Sequence, residues 1–130
     1  MTTPTLRLLM LWRAIGVGLI MFVMYQSLNR DPLQIDVMPG NGGGHLLAYG
    51  TLMLWHSQWL VSAGRRAGLA GGFILMGLAM EVAQYFTGYR SFDVADIAAN
   101  TAGVLTGWLC APPRLPNFLQ RIEAWTGRPG

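Results

Sequence analysis

Four long apolar runs constrain the fold of this chain more than any other feature. The first covers residues 8–28 and contains a single charged side chain, Arg13. Three more follow at about residues 45–62, 67–86 and 94–112. Each approaches the ~20 residues that an α-helix needs to cross the hydrocarbon core of a bilayer. We therefore predict an all-α fold in which four helices form an integral membrane bundle, as a single domain over residues 1–130.

The scarcity of charge agrees with a lipid environment. Charged side chains make up 12% of the chain and hydrophobic ones 52%, whereas a soluble domain carries about 25% charged residues. The net charge of +3 comes from scattered Arg side chains, which is too little for a nucleic-acid interface. Cys110 is the single cysteine, which excludes an internal disulfide and a Cys-based metal site. No closely spaced ligand motif such as His-Glu-x-x-His occurs, so neither a metal nor another cofactor is predicted.

The distribution of Arg predicts an orientation in the membrane. If the four runs alternate in direction, seven of the nine cationic side chains fall on one side. They are Arg7, Arg13, Arg65, Arg66, Arg114, Arg121 and Arg128. The positive-inside rule then assigns both termini and the turn at residues 62–67 to the cytoplasm. The loops at residues 29–44 and 87–93 are predicted to face outward.

Polar side chains interrupt the apolar runs at a shared depth. In the predicted topology, seven of them fall in the outer third of the protein. They are His45, Tyr49, Glu81, Gln84, Arg90, Asp96 and Asn100. Ionisable groups within a spanning segment are costly and are functional-site candidates by default. These residues are therefore the predicted site.

Glycines predict how the helices approach one another. On the fourth run, Asp96, Asn100, Gly103 and Gly107 follow the spacing i, i+4, i+7, i+11, so they share one helix face. Small residues on such a face let helix backbones come close together. Gly68 and Gly72 form a similar pair on the third run. We expect all four glycines to pack against neighbouring helices.

The order and spacing of the polar residues also carry a resemblance. The stretch reads Glu81-x-x-Gln84-x-Phe86-x-x-x-Arg90-Ser91-Phe92-Asp93-x-x-Asp96-x-x-x-Asn100-x-x-Gly103-x-x-x-Gly107, after His45-x-x-x-Tyr49. It resembles the VanZ-like family of small bacterial membrane proteins, over about residues 44–107. The resemblance implies a multi-pass protein of the bacterial inner (plasma) membrane with a cell-envelope role, like the family's namesake, which is associated with teicoplanin resistance. The chain departs from the family before His45, where residues 41–44 read Asn-Gly-Gly-Gly instead of containing the frequent Asp-Lys pair.

Two hypotheses for the polar residues follow. In the first, they bind the polar group of a membrane lipid or lipid-linked envelope precursor, with Arg90 holding phosphate or carboxylate because its guanidinium is a planar multiple donor. Glu81, His45 and Asp96 are then candidate catalytic acid–base groups, and Gln84, Asn100 and Tyr49 candidate ligand contacts. In the second, the same residues only hold the helices together, and the chain is a non-catalytic accessory subunit of a larger membrane protein complex. The sequence leaves open whether the protein is an enzyme.

Simpler roles are predicted for three other features. Asp93 has the position of an N-cap for the fourth helix. His56 has no matching polar partner and is predicted to pack or to bond a carbonyl group. After Pro112 and Pro113, apolar residues recur at i, i+1, i+4 and i+7 from Phe118 to Trp125. This spacing predicts a short amphipathic helix on the inner membrane surface, the alternative being a partly disordered tail.

Overall fold

Five α-helices make up the computed structural model, which describes residues 5–30, 42–89 and 91–127. They are α1 (Leu9–Leu28), α2 (Gly42–His56), α3 (Ala63–Phe86), α4 (Val94–Cys110) and α5 (Phe118–Thr126). Within these ranges the chain contains no β-strand. The predicted all-α class is therefore confirmed.

Side-chain caps define where three of the helices begin. The Ser62 hydroxyl accepts a hydrogen bond from the backbone N–H of Arg65 at 3.2 Å at the start of α3. The Asp93 carboxylate accepts from the N–H of Ala95 at 2.9 Å at the start of α4. Asn117 caps α5 in the same way. Each cap satisfies an N–H group that has no partner inside its own helix, and the N-cap predicted at Asp93 is confirmed.

The first four helices alternate in direction. At one end, the Tyr89 hydroxyl donates to the carbonyl of Leu28 at 2.5 Å. At the opposite end, the Trp55 indole N–H donates to the carbonyl of Trp12 at 3.0 Å. We call the first the polar end, where α1 and α3 finish and α2 and α4 begin. We call the second the α5 end, because α5 packs there.

Helix α2 lies at the centre of the bundle. It contacts α1, α3 and α4, and its contact with α4 is the most extensive in the protein. The main cluster of buried apolar residues consists of Tyr49, Leu52, Met53, Ala70, Phe73 and Val104. His56 belongs to the same interior and contacts the carbonyl of Leu52 through Nδ1 at 2.8 Å, which confirms the carbonyl bond predicted for it.

Glycines allow α2 and α4 to touch backbone to backbone. A Cβ atom added at Gly107 would lie 2.5 Å from the carbonyl oxygen of Gly50, and one at Gly103 would collide with the carbonyl oxygen of Leu46. Both positions therefore require glycine for the observed approach of the two helices.

The expectation for Gly68 and Gly72 was wrong within this chain. Both are exposed, and an added Cβ would meet nothing within 4 Å. The buried stripe of α3 instead passes through Arg66, Ala70, Phe73, Gly77, Glu81 and Gln84. Gly68 and Gly72 lie off this stripe, which repeats every three to four residues. The α3 glycine that packs is Gly77, which lies against the Asn100 side chain.

Among the helices of the described residues, α1 and α3 are long and apolar enough to cross a membrane. Helices α2 and α4 have 15 and 17 residues and are shorter than the predicted runs. Helix α2 ends at His56 instead of residue 62, and α3 starts at Ala63 instead of residue 67. The shorter α2 has a physical cause, because residues 57–60 leave the helix and two of their carbonyl groups bind Arg66.

The predicted C-terminal helix is present as α5 and is bonded to the bundle. Leu119 is fully buried in a second apolar cluster with Leu6, Trp12 and Trp59. The Glu123 carboxylate accepts hydrogen bonds from the backbone N–H groups of Arg7 at 3.0 Å and Leu8 at 2.5 Å, just before α1. Ile122 and Trp125, also on the predicted apolar face, are exposed. The apolar residues of α5 are thus divided between the bundle and the outer surface.

Candidate functional site

The polar end brings together residues from three helices. His45 on α2 lies between two residues of α4: its Nδ1 is 3.0 Å from the amide oxygen of Asn100, and its Nε2 is 3.4 Å from a carboxylate oxygen of Asp96. Glu81 on α3 is close enough to His45 and Asp96 to interact with both electrostatically. We call His45, Tyr49, Glu81, Gln84, Asp96 and Asn100 the polar cluster.

The contacts of His45 join α2 to two residues of α4. Its Nδ1 contacts the Asn100 amide, and which of the two groups donates depends on the tautomer of the imidazole. Its Nε2 contacts the Asp96 carboxylate, and this contact is an ion pair when the imidazole is protonated. The side chains of the pair are 17% and 11% exposed, which makes the pair the accessible edge of a cluster that is otherwise buried.

Glu81 joins α3 to the start of α4. It is 1% exposed, and its Oε1 accepts a hydrogen bond from the backbone N–H of Asp93 at 2.6 Å. A buried carboxylate needs such donors, since burying an unpaired charge is very costly. This bond holds the residue that caps α4, so Glu81 positions Asp96 and Asn100 one and two turns further along that helix.

Two buried polar atoms of the cluster have no hydrogen-bond partner in the described ranges. They are the hydroxyl of Tyr49 and the Oε1 atom of Gln84, and each side chain is 1% exposed. The Nε2 atom of Gln84 does donate, to the carbonyl of Ser27 at 2.6 Å. Buried polar atoms are nearly always paired. These two atoms therefore mark places where a bound polar group would gain hydrogen bonds.

The anion-binding role predicted for Arg90 concerns a residue that lies outside the described ranges. Another cation, Arg30, is exposed at the same end and lies over the ring of Tyr89, 4.8 Å from its centroid. The Tyr89 hydroxyl is in turn bonded to the end of α1. Within residues 5–30, 42–89 and 91–127, no group of three or more His, Cys, Asp or Glu side chains is arranged to hold a metal ion.

Sequence reasoning missed several residues that build the site. Gly77 lies one turn before Glu81 on α3 and makes room for Asn100, and Gly50 follows Tyr49 and lies against Gly103. Both glycines lie within one helical turn of a candidate site residue, and this proximity could have identified them as packing positions. The bond between Glu81 and the Asp93 backbone had no sequence signal, because any residue at position 93 other than proline would supply the same N–H group.

A comparison with protein families identifies the family of the chain. The family model described as VanZ/LLP1 matches residues 6–118. This match includes α1 to α4 and every residue of the polar cluster, so the chain belongs to the VanZ/LLP1 family. The resemblance to VanZ-like proteins is thereby confirmed. No curated protein and no solved structure matches the chain significantly.

Proposed function

We propose that α1 to α4 cross the bacterial inner membrane, with both termini and α5 on the cytoplasmic side. The apolar stretches of α1 and α3 support this proposal, because only 17% and 28% of them are buried inside the protein. The core helix of a soluble protein would be mostly buried, whereas these helices expose side chains such as Met10, Met21 and Leu75. The described cations at the α5 end are Arg7, Arg13, Arg65, Arg66 and Arg114, with Arg121 on α5 itself. The described cation at the polar end is Arg30, so the α5 end carries more Arg side chains and is favoured for the cytoplasmic side.

In this orientation the polar cluster lies near the outer surface. It binds the polar headgroup of an envelope lipid or of a lipid-linked envelope precursor. Two buried polar atoms carry this proposal, Tyr49 Oη and Gln84 Oε1, which have no hydrogen-bond partner among the described residues. They belong to the same cluster as the accessible His45–Asp96 pair. A headgroup hydroxyl or amide could donate to Gln84 and accept from Tyr49. Arg90, from its position in the sequence, is the proposed contact for a phosphate or carboxylate.

Within this proposal, the residues of the cluster have different tasks. Glu81 is engaged by the backbone of Asp93, which favours a positioning role over direct chemistry. His45 and Asp96 are better suited to proton transfer, because an imidazole and a carboxylate lie 3.4 Å apart at the accessible edge of the cluster. Binding is the function proposed, and acid–base chemistry on the bound headgroup would use this pair.

A second candidate function rests on a different observation. Helix α3 has four glycines, Gly64, Gly68, Gly71 and Gly72, where an added Cβ would meet nothing within 4 Å. Such a surface can accept a closely packed helix from another membrane protein. This surface favours the alternative that the chain is an accessory subunit of a larger membrane complex.

Lipid retention separates the two candidates. The full chain would be purified in a mild detergent, and its bound lipids would be identified by native mass spectrometry. We expect one envelope lipid class to be retained, and to be lost in Asp96→Asn. The matched control is Asp93→Asn, which removes one negative charge at the same end but keeps an N-cap side chain.

Three results would count against this function or its topology. If Asp96→Asn and Asp93→Asn retained equal amounts of lipid, the polar cluster would not be the binding site. A wild-type chain that carries no lipid but purifies in fixed stoichiometry with other membrane subunits would favour the accessory role. For the topology, Ser91→Cys in a Cys110→Ser background should react with a membrane-impermeant thiol reagent from outside the cell. Reaction from the cytoplasm alone would overturn the orientation.

A further inference from the structure

Arg66 is a buried cation at the α5 end that is bonded to backbone carbonyl groups. Its side chain donates three hydrogen bonds to backbone carbonyls: to Leu60 at 2.7 Å, to Ser57 at 2.8 Å and to Pro112 at 2.6 Å. The residue is only 6% exposed. No carboxylate of the described ranges lies within ion-pair distance of it. The carbonyl dipoles stabilise the guanidinium, and the three bonds use three of its five N–H groups.

A cleft of about 480 Å³ opens beside this cation. Arg66 and the exposed Arg114 belong to its lining, together with apolar side chains of α4 that include Leu105, Trp108 and Leu109. Leu105 and Leu109 are one turn apart and are 47% and 58% exposed. The cleft therefore combines cationic groups at the end of the bundle with an apolar wall that continues along α4.

We propose that this cleft binds an anionic phospholipid, with its phosphate at Arg66 and Arg114 and an acyl chain along Leu105 and Leu109. Two features select a lipid over a free phosphate ion. The apolar wall would contribute nothing to an inorganic anion, whereas it matches a hydrocarbon chain. In the topology proposed above, the cleft also lies at the cytoplasmic leaflet, where anionic lipids are enriched and basic pockets between helices bind their headgroups. This site rests on the membrane location of the chain but not on any ligand of the polar cluster, which lies at the opposite end.

The test compares two variants that remove the same charge from the same end. Arg114→Gln alters the lining of the cleft, whereas Arg121→Gln alters α5, which does not line it. Both side chains are exposed, so neither change disturbs the interior. The full-length variants in detergent would be titrated with phosphatidylglycerol, with phosphatidylcholine of the same acyl chains, and with inorganic phosphate. Binding would be measured by native mass spectrometry.

We expect Arg114→Gln to weaken phosphatidylglycerol binding about fivefold, the effect of one partly exposed charge contact. Arg121→Gln should leave it unchanged, and phosphatidylcholine should bind more weakly to the wild type. Equal affinities for phosphatidylglycerol in the two variants would overturn the proposal. It would also fail if phosphatidylcholine bound as tightly as phosphatidylglycerol, or if inorganic phosphate alone bound as tightly as the lipid. If phosphatidylglycerol binding failed this test while Asp96→Asn still lost its retained lipid, the function proposed for the polar cluster would stand and only the cleft proposal would fall.

Discussion

The close contact of α2 and α4 gives a quantitative prediction for Gly107→Ala. The new methyl group would lie 2.5 Å from the carbonyl oxygen of Gly50 and 3.0 Å from the Cβ atom of Met53. The carbonyl oxygen belongs to the backbone of α2 and cannot rotate away, so the helices must separate by roughly 1 Å to restore ordinary contact. Overpacking of this kind costs about 1–3 kcal/mol. Alanine regains about 1 kcal/mol of helix propensity, which leaves a net loss of about 0–2 kcal/mol.

Gly68→Ala is the matched control for this prediction. It makes the same chemical change on α3, where the added methyl group meets nothing within 4 Å. Because the propensity term is common to both variants, the difference between them isolates the clash, which we expect to be about 1–3 kcal/mol. The free energy of unfolding would be measured by titrating the detergent-solubilised chain with sodium dodecyl sulfate and following helix content by circular dichroism. Equal stability of the two variants would refute the close α2–α4 contact.

Three further predictions concern buried polar groups. Arg66→Gln removes the charge-assisted bonds to the carbonyls and should lower the free energy of unfolding by about 3 kcal/mol or more in the same titration; wild-type stability would contradict the role given to Arg66. Glu123→Ala leaves the N–H groups before α1 unpaired and should cost about 1–2 kcal/mol, with faster tryptic cleavage at Arg121 as the readout. An unchanged cleavage rate would argue against this contact. Tyr49→Phe removes a hydroxyl that has no partner in the described ranges, so stability should stay within about 1 kcal/mol of wild type while lipid retention falls. A large loss of stability would mean that the fold itself uses the hydroxyl.

Helical periodicity made much of the polar cluster predictable. Asp96 and Asn100 are four residues apart on α4, so both had to share a face, and the alternating topology put His45 at the same depth. The structure brings these three side chains together by direct contact. Composition and run length were sufficient to predict α1 and α3, because apolar stretches of that length have few other stable environments.

The remaining features depended on information that no local pattern carries. The pair Gly68 and Gly72 resembles the pair Gly103 and Gly107 in spacing, but only the surrounding apolar residues determine which face of a helix is buried. On α3 that face is set by larger residues such as Phe73, and it excludes the first pair. Helix α2 ends early where the Arg66 side chain bonds the carbonyl group of Ser57. The same side chain bonds the carbonyl group of Pro112 after α4, and this contact between distant parts of the chain has no local sequence pattern.

The bond from Glu123 to the amides before α1 has a consequence for the order in which the protein is made. Glu123 follows Leu8 and Arg7 by 115 and 116 residues, so these two amides are synthesised long before their acceptor. In the topology proposed above, α1 to α4 would enter the membrane while these two amides are still bonded to water. The α5 end closes only after α5 has left the ribosome. A chain truncated before residue 123 would lack the acceptor for the amides of Arg7 and Leu8, and its α5 end would stay open.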